Sequence, residues 1–131
     1  MKVDDYDRKL YKKAYDNLDK AYVPYSNFPV SAVLVDCDGN EYTGVNIENA
    51  SYPVTICAER TAMSKAVSEG ARDFERIVIA TAKGSGWPCG MCRQFMHEFS
   101  PDMKVVAGGD IDSLEAYSLS ELLTKGFRLE D

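Results

Sequence analysis

Two short segments of this 131-residue chain carry side chains with the types and spacing for chemistry: Cys57-Ala58-Glu59-Arg60 and Pro88-Cys89-Gly90-Met91-Cys92-Arg93-Gln94. A thiol acts as nucleophile or metal ligand only as its thiolate. A helix N-terminus, with its unpaired N–H groups and partial positive charge, favours that form. Each segment reads as the start of a helix, and within a helix Cys89 and Cys92 share one face. If the two helices lie side by side on a sheet, Cys57, Cys89 and Cys92 converge. Three thiolates make a soft site with tetrahedral leaning, for which zinc is the best match. Three protein ligands instead of four is the pattern of a catalytic zinc, which keeps a position for water.

Glu59 follows Cys57 by two residues, close enough to approach the metal without ligating it. A carboxylate there can take a proton from the attacking water and later deliver it elsewhere. Zinc with three thiolates carries a net negative charge, which makes it a weaker acidifier of water than a site built on neutral ligands. Two helix N-termini and a guanidinium beside the sulfurs offset that, and Arg60 is the candidate guanidinium. Cys37 sits at an expected hairpin turn and His97 more than two helical turns past Cys89, so neither is placed to close the site.

The elements that must position these residues follow from periodicity. Leu10, Ala14, Leu18 and Ala21 predict an amphipathic helix over 4–21, ending before Pro24. Alternation around Asp38-Gly39 predicts antiparallel strands at 29–37 and 41–47. A helix is expected over 55–69 with Gly70 as its stop, and an apolar strand covered on both faces at 75–82. Pro88 opens a third helix carrying Cys92, Phe95, Met96 and Phe99, which ends by Pro101. A strand at 103–107 follows, then a possible strand at 114–119. Ser118 and Glu121 have the spacing of a capping box that opens a short last helix. This order implies an α/β fold, a three-layer α/β/α sandwich on a mixed sheet of about five strands. No repeat, linker or low-complexity tract divides the chain, so one domain over 1–131 is expected.

Composition narrows the partners. With 15 basic and 21 acidic residues the net charge is −6, the wrong sign for gripping a polynucleotide or an anionic membrane surface. No apolar run is long enough to span a bilayer, and the charged start MKVDDYDRKL is unlike a secretion signal. A cytoplasmic protein is expected, in which four cysteines point to metal or catalysis more than to disulfides.

Taken together, Cys-Ala-Glu-Arg and Pro-Cys-Gly-Met-Cys-Arg-Gln resemble the small cytidine deaminases, zinc-dependent nucleoside hydrolases. Pro24-Tyr25-Ser26-Asn27-Phe28, Asn46-Ile47-Glu48-Asn49-Ala50 and Leu122-Leu123-Thr124-Lys125-Gly126-Phe127 extend the resemblance over nearly the whole chain. The resemblance implies hydrolytic deamination of cytidine and 2′-deoxycytidine to uridine and 2′-deoxyuridine, with release of ammonia, in pyrimidine salvage. It implies one zinc ion per chain on Cys57, Cys89 and Cys92, and Glu59 moving protons to cytosine N3 and then to the amino group. It also implies Asn46 and Glu48 on the ribose hydroxyls, Phe28 against base and ribose, and backbone N–H groups near Ala58 and Cys89 on the base. Phe127 would reach the base of a neighbouring subunit in a homotetramer with shared sites. Ser31, Trp87 and Thr124 depart from the family, which commonly has Gly, a small residue and Pro there.

Two other readings stand beside this one. The same chemistry could serve a polynucleotide base or a nucleoside analogue, against which stand the acidic charge and a Glu48 that would repel phosphate near the ribose. Alternatively, Cys89 and Cys92 could belong to a structural zinc domain, which needs a fourth protein ligand, or to a dithiol redox module, which needs no metal.

Overall fold

The computed structural model describes residues 1–129; the last two positions of the expected domain, 130 and 131, lie outside them. Five strands, β1 (Val30–Asp36), β2 (Glu41–Val45), β3 (Phe74–Thr81), β4 (Lys104–Gly108) and β5 (Leu114–Ser118), form one sheet in the order β2-β1-β3-β4-β5. Only β3 and β4 run parallel; the other three pairings are antiparallel. Among the described residues four α-helices accompany it: α1 (Asp5–Asp16), α2 (Ala58–Ser68), α3 (Gly90–His97) and the short α4 (Leu119–Leu122).

Alternation along the central strands supplies both faces of the sheet. Ala32, Leu34, Ile77, Ile79, Val105 and Ala107 point to one side and pack with α2 and α3. Val33, Val35, Val78, Ala80, Val106 and Ala116 point to the other and pack with Leu10, Tyr11 and Ala14 of α1. The expected three layers and mixed sheet are therefore present. β3 is covered on both sides, which is why its sequence reads as an unbroken apolar run.

The element ends differ from the sequence expectation for local reasons. Helix α1 stops at Asp16, capped by Asn17, with a single 3-10 turn at Leu18–Lys20. The chain must already be extended by Tyr22, whose N–H donates to the Asn46 carbonyl at 3.0 Å. Helix α2 begins three residues later than expected, because Tyr52–Val54 forms a separate 3-10 turn and Cys57 is extended. Helix α3 begins at Gly90 and not at Pro88, since Cys89 is likewise an extended cap residue.

Helix α1 is fastened to the sheet by charge as well as by apolar contact. Asp7 is fully buried, accepting from Arg76 of β3 at 2.7 Å and Lys104 of β4 at 2.5 Å. Asp4 caps the helix and also pairs with Arg76 at 3.0 Å. A buried carboxylate needs such pairing to stay charged.

Helix α2 lies close over β2 because Gly44 has no side chain. A Cβ at Gly44 would come within 2.5 Å of the Ala58 carbonyl oxygen and 2.9 Å of the Ala62 Cα. Those are helix backbone atoms, which cannot rotate away. Gly44→Ala is therefore expected to cost about 1–3 kcal/mol of stability by overpacking, measured by urea unfolding, and to push α2 outward.

Candidate active site

Topology brings the start of β1 and the ends of β2 and β3 to one edge of the sheet: Val30 stands opposite Thr81, and Ser31 opposite Val45. The parallel β3–β4 pair requires a crossover. Its helix α3 starts beyond the carboxyl end of β3, where open α/β sheets place their ligands. Thr81 shapes the intervening loop by donating to the Gly84 carbonyl at 2.8 Å. Arg93 braces its end by donating to the Pro88 carbonyl at 2.7 Å and to the Leu122 carbonyl at 2.6 Å.

Cys57 is the N-cap of α2 and Cys89 the N-cap of α3, with Cys92 in the first turn of α3. Neither cap position uses its side chain to satisfy the helix, so both sulfurs are free to face outward. Cys57 Sγ lies 4.0 Å from Cys89 Sγ, and Cys89 Sγ lies 3.4 Å from Cys92 Sγ. All three sulfurs fall within 4.8 Å of one another. A Zn–S bond of about 2.3 Å places tetrahedral sulfurs about 3.8 Å apart, so this donor set fits a zinc ion in both softness and spacing. Among the described residues no histidine or carboxylate joins the cluster. Cys37 is exposed, beyond the opposite end of β1, and His97 closes α3 with its ring against Gly126.

The electrostatics around the sulfurs favour a thiolate. Sharing the Cys92 proton, then donation from Arg60, hold the Cys57 thiol down to about 5 against the opposing effect of burial. Cys92 is pushed well above the thiol range by its hydrogen bond with Cys57, by burial and by the nearby Glu59 carboxylate. Arg60 reaches Cys57 Sγ and the Thr55 carbonyl, each at 3.4 Å, which is the position expected of a charge-compensating guanidinium. Glu59 is only 4% exposed, and that burial pushes its carboxyl up to about 7. Near neutral pH such a group both accepts and releases protons readily.

Beside the cluster opens a cleft of about 440 Å³ that Phe28, Asn46, Glu48, Ala58, Glu59 and Trp87 help to line. Asn46 holds the wall next to it, accepting from Val30 N–H and donating to the Phe28 carbonyl, both at 2.9 Å. Glu48 is buried and accepts from the Tyr25 N–H at 2.9 Å, the Ser26 N–H at 3.1 Å and the Ser26 hydroxyl. Burial works to raise its pKa, but these bonds together hold it below the ordinary carboxylate range. Ala58, at the first position of α2, lies on the cleft floor next to Cys57.

Phe127 does not line this cleft. It is 64% exposed, and its carbonyl accepts from Gln94 Nε2 at 2.9 Å. Trp87 stands at the rim with its ring 5.4 Å from that of Tyr117, edge to face. Ser31 is fully buried, and its hydroxyl has no hydrogen-bond partner. Sequence reasoning missed the roles of Ser26 and Arg93, which rest on the Glu48 carboxylate and the Leu122 carbonyl, 22 and 29 positions away; no local pattern announces such contacts.

Comparison with known proteins bears on this geometry. A family model described as the cytidine and deoxycytidylate deaminase zinc-binding region matches residues 4–108. The cytidine deaminase of Halalkalibacterium halodurans is 49% identical over 124 residues, covering 93% of this chain and 94% of the relative. That of Sporosarcina psychrophila is 44% identical over 125 residues, covering 94% and 92%. Among solved structures, a cytidine deaminase from Burkholderia pseudomallei superposes with a TM-score of 0.86 at 39% identity, covering 95% of this chain and all of the other.

Proposed function

This chain belongs to the zinc-binding cytidine deaminases, and from that membership we propose how its cleft removes the amino group of a nucleoside. The reaction is hydrolytic: cytidine and water give uridine and ammonia. The observation that carries the reading is the convergence of three cysteine sulfurs and one buried, proton-exchanging glutamate on the floor of a nucleoside-sized cleft.

Cys57, Cys89 and Cys92 hold the zinc, which when bound supplies a Lewis acid that makes water nucleophilic near neutral pH. Glu59 takes one proton of the attacking water and places it on cytosine N3, then takes the second from the hydroxyl now on C4 and gives it to the amino group, so that the C4–N bond breaks and ammonia leaves. Arg60 lowers the negative charge on the sulfurs through Cys57. The N–H groups at the starts of α2 and α3, at Ala58 and beside Cys89, meet the developing negative charge of the base. Phe28 packs on the ring, and Asn46 and Glu48 take the sugar hydroxyls. Both retain acceptor capacity after their bonds to the 25–30 segment.

The free nucleoside, as ribo- or 2′-deoxyribo form, is the substrate we infer, not a nucleotide or a strand. A buried, ionised Glu48 at the sugar end repels phosphate, and the net charge of −6 gives no affinity for nucleic acid. A single cytoplasmic catalytic domain acting in pyrimidine salvage and assembled as a homotetramer completes this reading. In support, Phe127 is exposed and does not line its own cleft, and Tyr52 and Met91 leave apolar surface exposed at the cleft wall. Among the described residues no helix is long and apolar enough to cross a membrane.

The test follows the cytidine absorbance. Cytidine is converted and its 5′-monophosphate and a cytosine-containing oligomer are not, and stripping zinc abolishes the conversion until zinc is restored. Equal turnover of the oligomer would overturn the nucleoside assignment.

A further inference from the structure

The segment 25–28 makes a contact that the catalytic scheme leaves unused. The Ser26 hydroxyl donates to Glu48 Oε2 and accepts from the Phe28 N–H at 3.0 Å. Its own N–H and that of Tyr25 bind Oε1, so both oxygens of one buried carboxylate are oriented by this two-residue turn. The turn is closed by Asn27, which adopts a left-handed backbone with φ of 55°. Beyond it, the Phe28 peptide is held from both sides, its N–H by Ser26 and its carbonyl by Asn46.

A carboxylate offers about four lone-pair positions. Two on Oε1 are taken by backbone donors, leaving a substrate hydroxyl to enter at Oε2, the oxygen that Ser26 shares. Tyr52 hydroxyl stands on the same oxygen at 3.5 Å, too far to fix its direction firmly. Ser26 is thus the direct partner that decides which lone pair of Oε2 is presented to the cleft. Its second bond, to Phe28, ties that choice to the aromatic wall.

Resting on the cytidine reading above, we propose that Ser26 is a positioning residue that aims Glu48, and so governs discrimination between nucleosides with and without a 3′-hydroxyl. Ser26 is exposed, so changing it leaves the core intact. The experiment compares cytidine with 3′-deoxycytidine as substrates of the wild-type chain and of Ser26→Ala, Ser26→Thr, Glu48→Gln and the Ser26→Ala/Glu48→Gln double variant.

Ser26→Ala is expected to raise KM for cytidine about five- to tenfold with kcat nearly unchanged, the effect of one misaimed hydrogen bond. The KM for 3′-deoxycytidine moves less than about twofold, so the preference for the 3′-hydroxyl falls. Ser26→Thr, which keeps the hydroxyl, restores most of the preference, and Ser26→Ala adds nothing on the Glu48→Gln background. Equal losses for both nucleosides, or no loss for either, overturn the positioning role while leaving the deaminase activity standing. A wild-type chain that leaves cytidine unchanged overturns the activity itself, and the proposal with it.

Discussion

Glu59→Gln leaves the zinc in place and stops turnover. The substitution keeps side-chain size and removes only the ability to gain and lose a proton, at a residue 4% exposed beneath the cleft. The three sulfurs form their cluster without this carboxylate, so zinc content, measured by metal analysis, stays at wild-type level. General acid–base catalysis by a positioned group is worth typically about 10²–10⁴-fold, and here one group serves both the attack and the departure of ammonia. The kcat for cytidine is therefore expected to fall at least about 10³-fold, with KM changing little. A variant retaining a tenth of wild-type kcat would sink the proton-transfer role assigned to Glu59.

The second large effect comes from the sulfurs themselves. Cys89 is exposed at the cap of α3 and makes no capping bond, so Cys89→Ser costs the fold little. Removing one of three protein ligands should nevertheless weaken zinc binding by more than the 10–100-fold that losing an outer partner costs. Zinc per chain after dialysis falls well below the wild-type value of about one, and turnover falls in proportion. Cys37→Ser is the matched control, a thiol on the far side of β1 whose loss leaves both quantities unchanged. Full zinc retention by Cys89→Ser would show that the metal is held elsewhere.

The helix-start cysteines and Glu59 were legible because their chemistry is local. Cys-x-Glu and Cys-x-x-Cys place functional groups within one helical turn, and helix starts announce themselves through periodicity and the neighbouring Pro. Strands β1 and β3 were legible for the same reason. Helix α1 reads too long because Leu18 and Ala21 continue the apolar period, whereas the Tyr22–Asn46 backbone bond turns the chain away from the helix. Gly44 looks like any strand glycine until α2 is laid over it. Asp7 looks like a solvated helix residue until Arg76 and Lys104 arrive from strands about 70 and 100 positions onward. Glu48 suggests a ligand for sugar, yet its grip on Tyr25 and Ser26 depends on a pairing that only the folded chain creates. In each case the missing information is a contact between residues remote in sequence, and periodicity carries none of it.

The buried Asp7 clasp has a consequence for how the molecule tolerates change. Arg76 pairs with Val35 and Lys104, at the end of β3 away from Thr81. Five residues of strand, about 17 Å, thus separate the charges that fasten α1 from the edge where the cysteines gather. Robustness and reactivity occupy opposite poles of one sheet. Substitutions that reinforce the clasp can accumulate there without touching the nucleoside, and the cleft can be reshaped for other bases while the far pole keeps the chain folded.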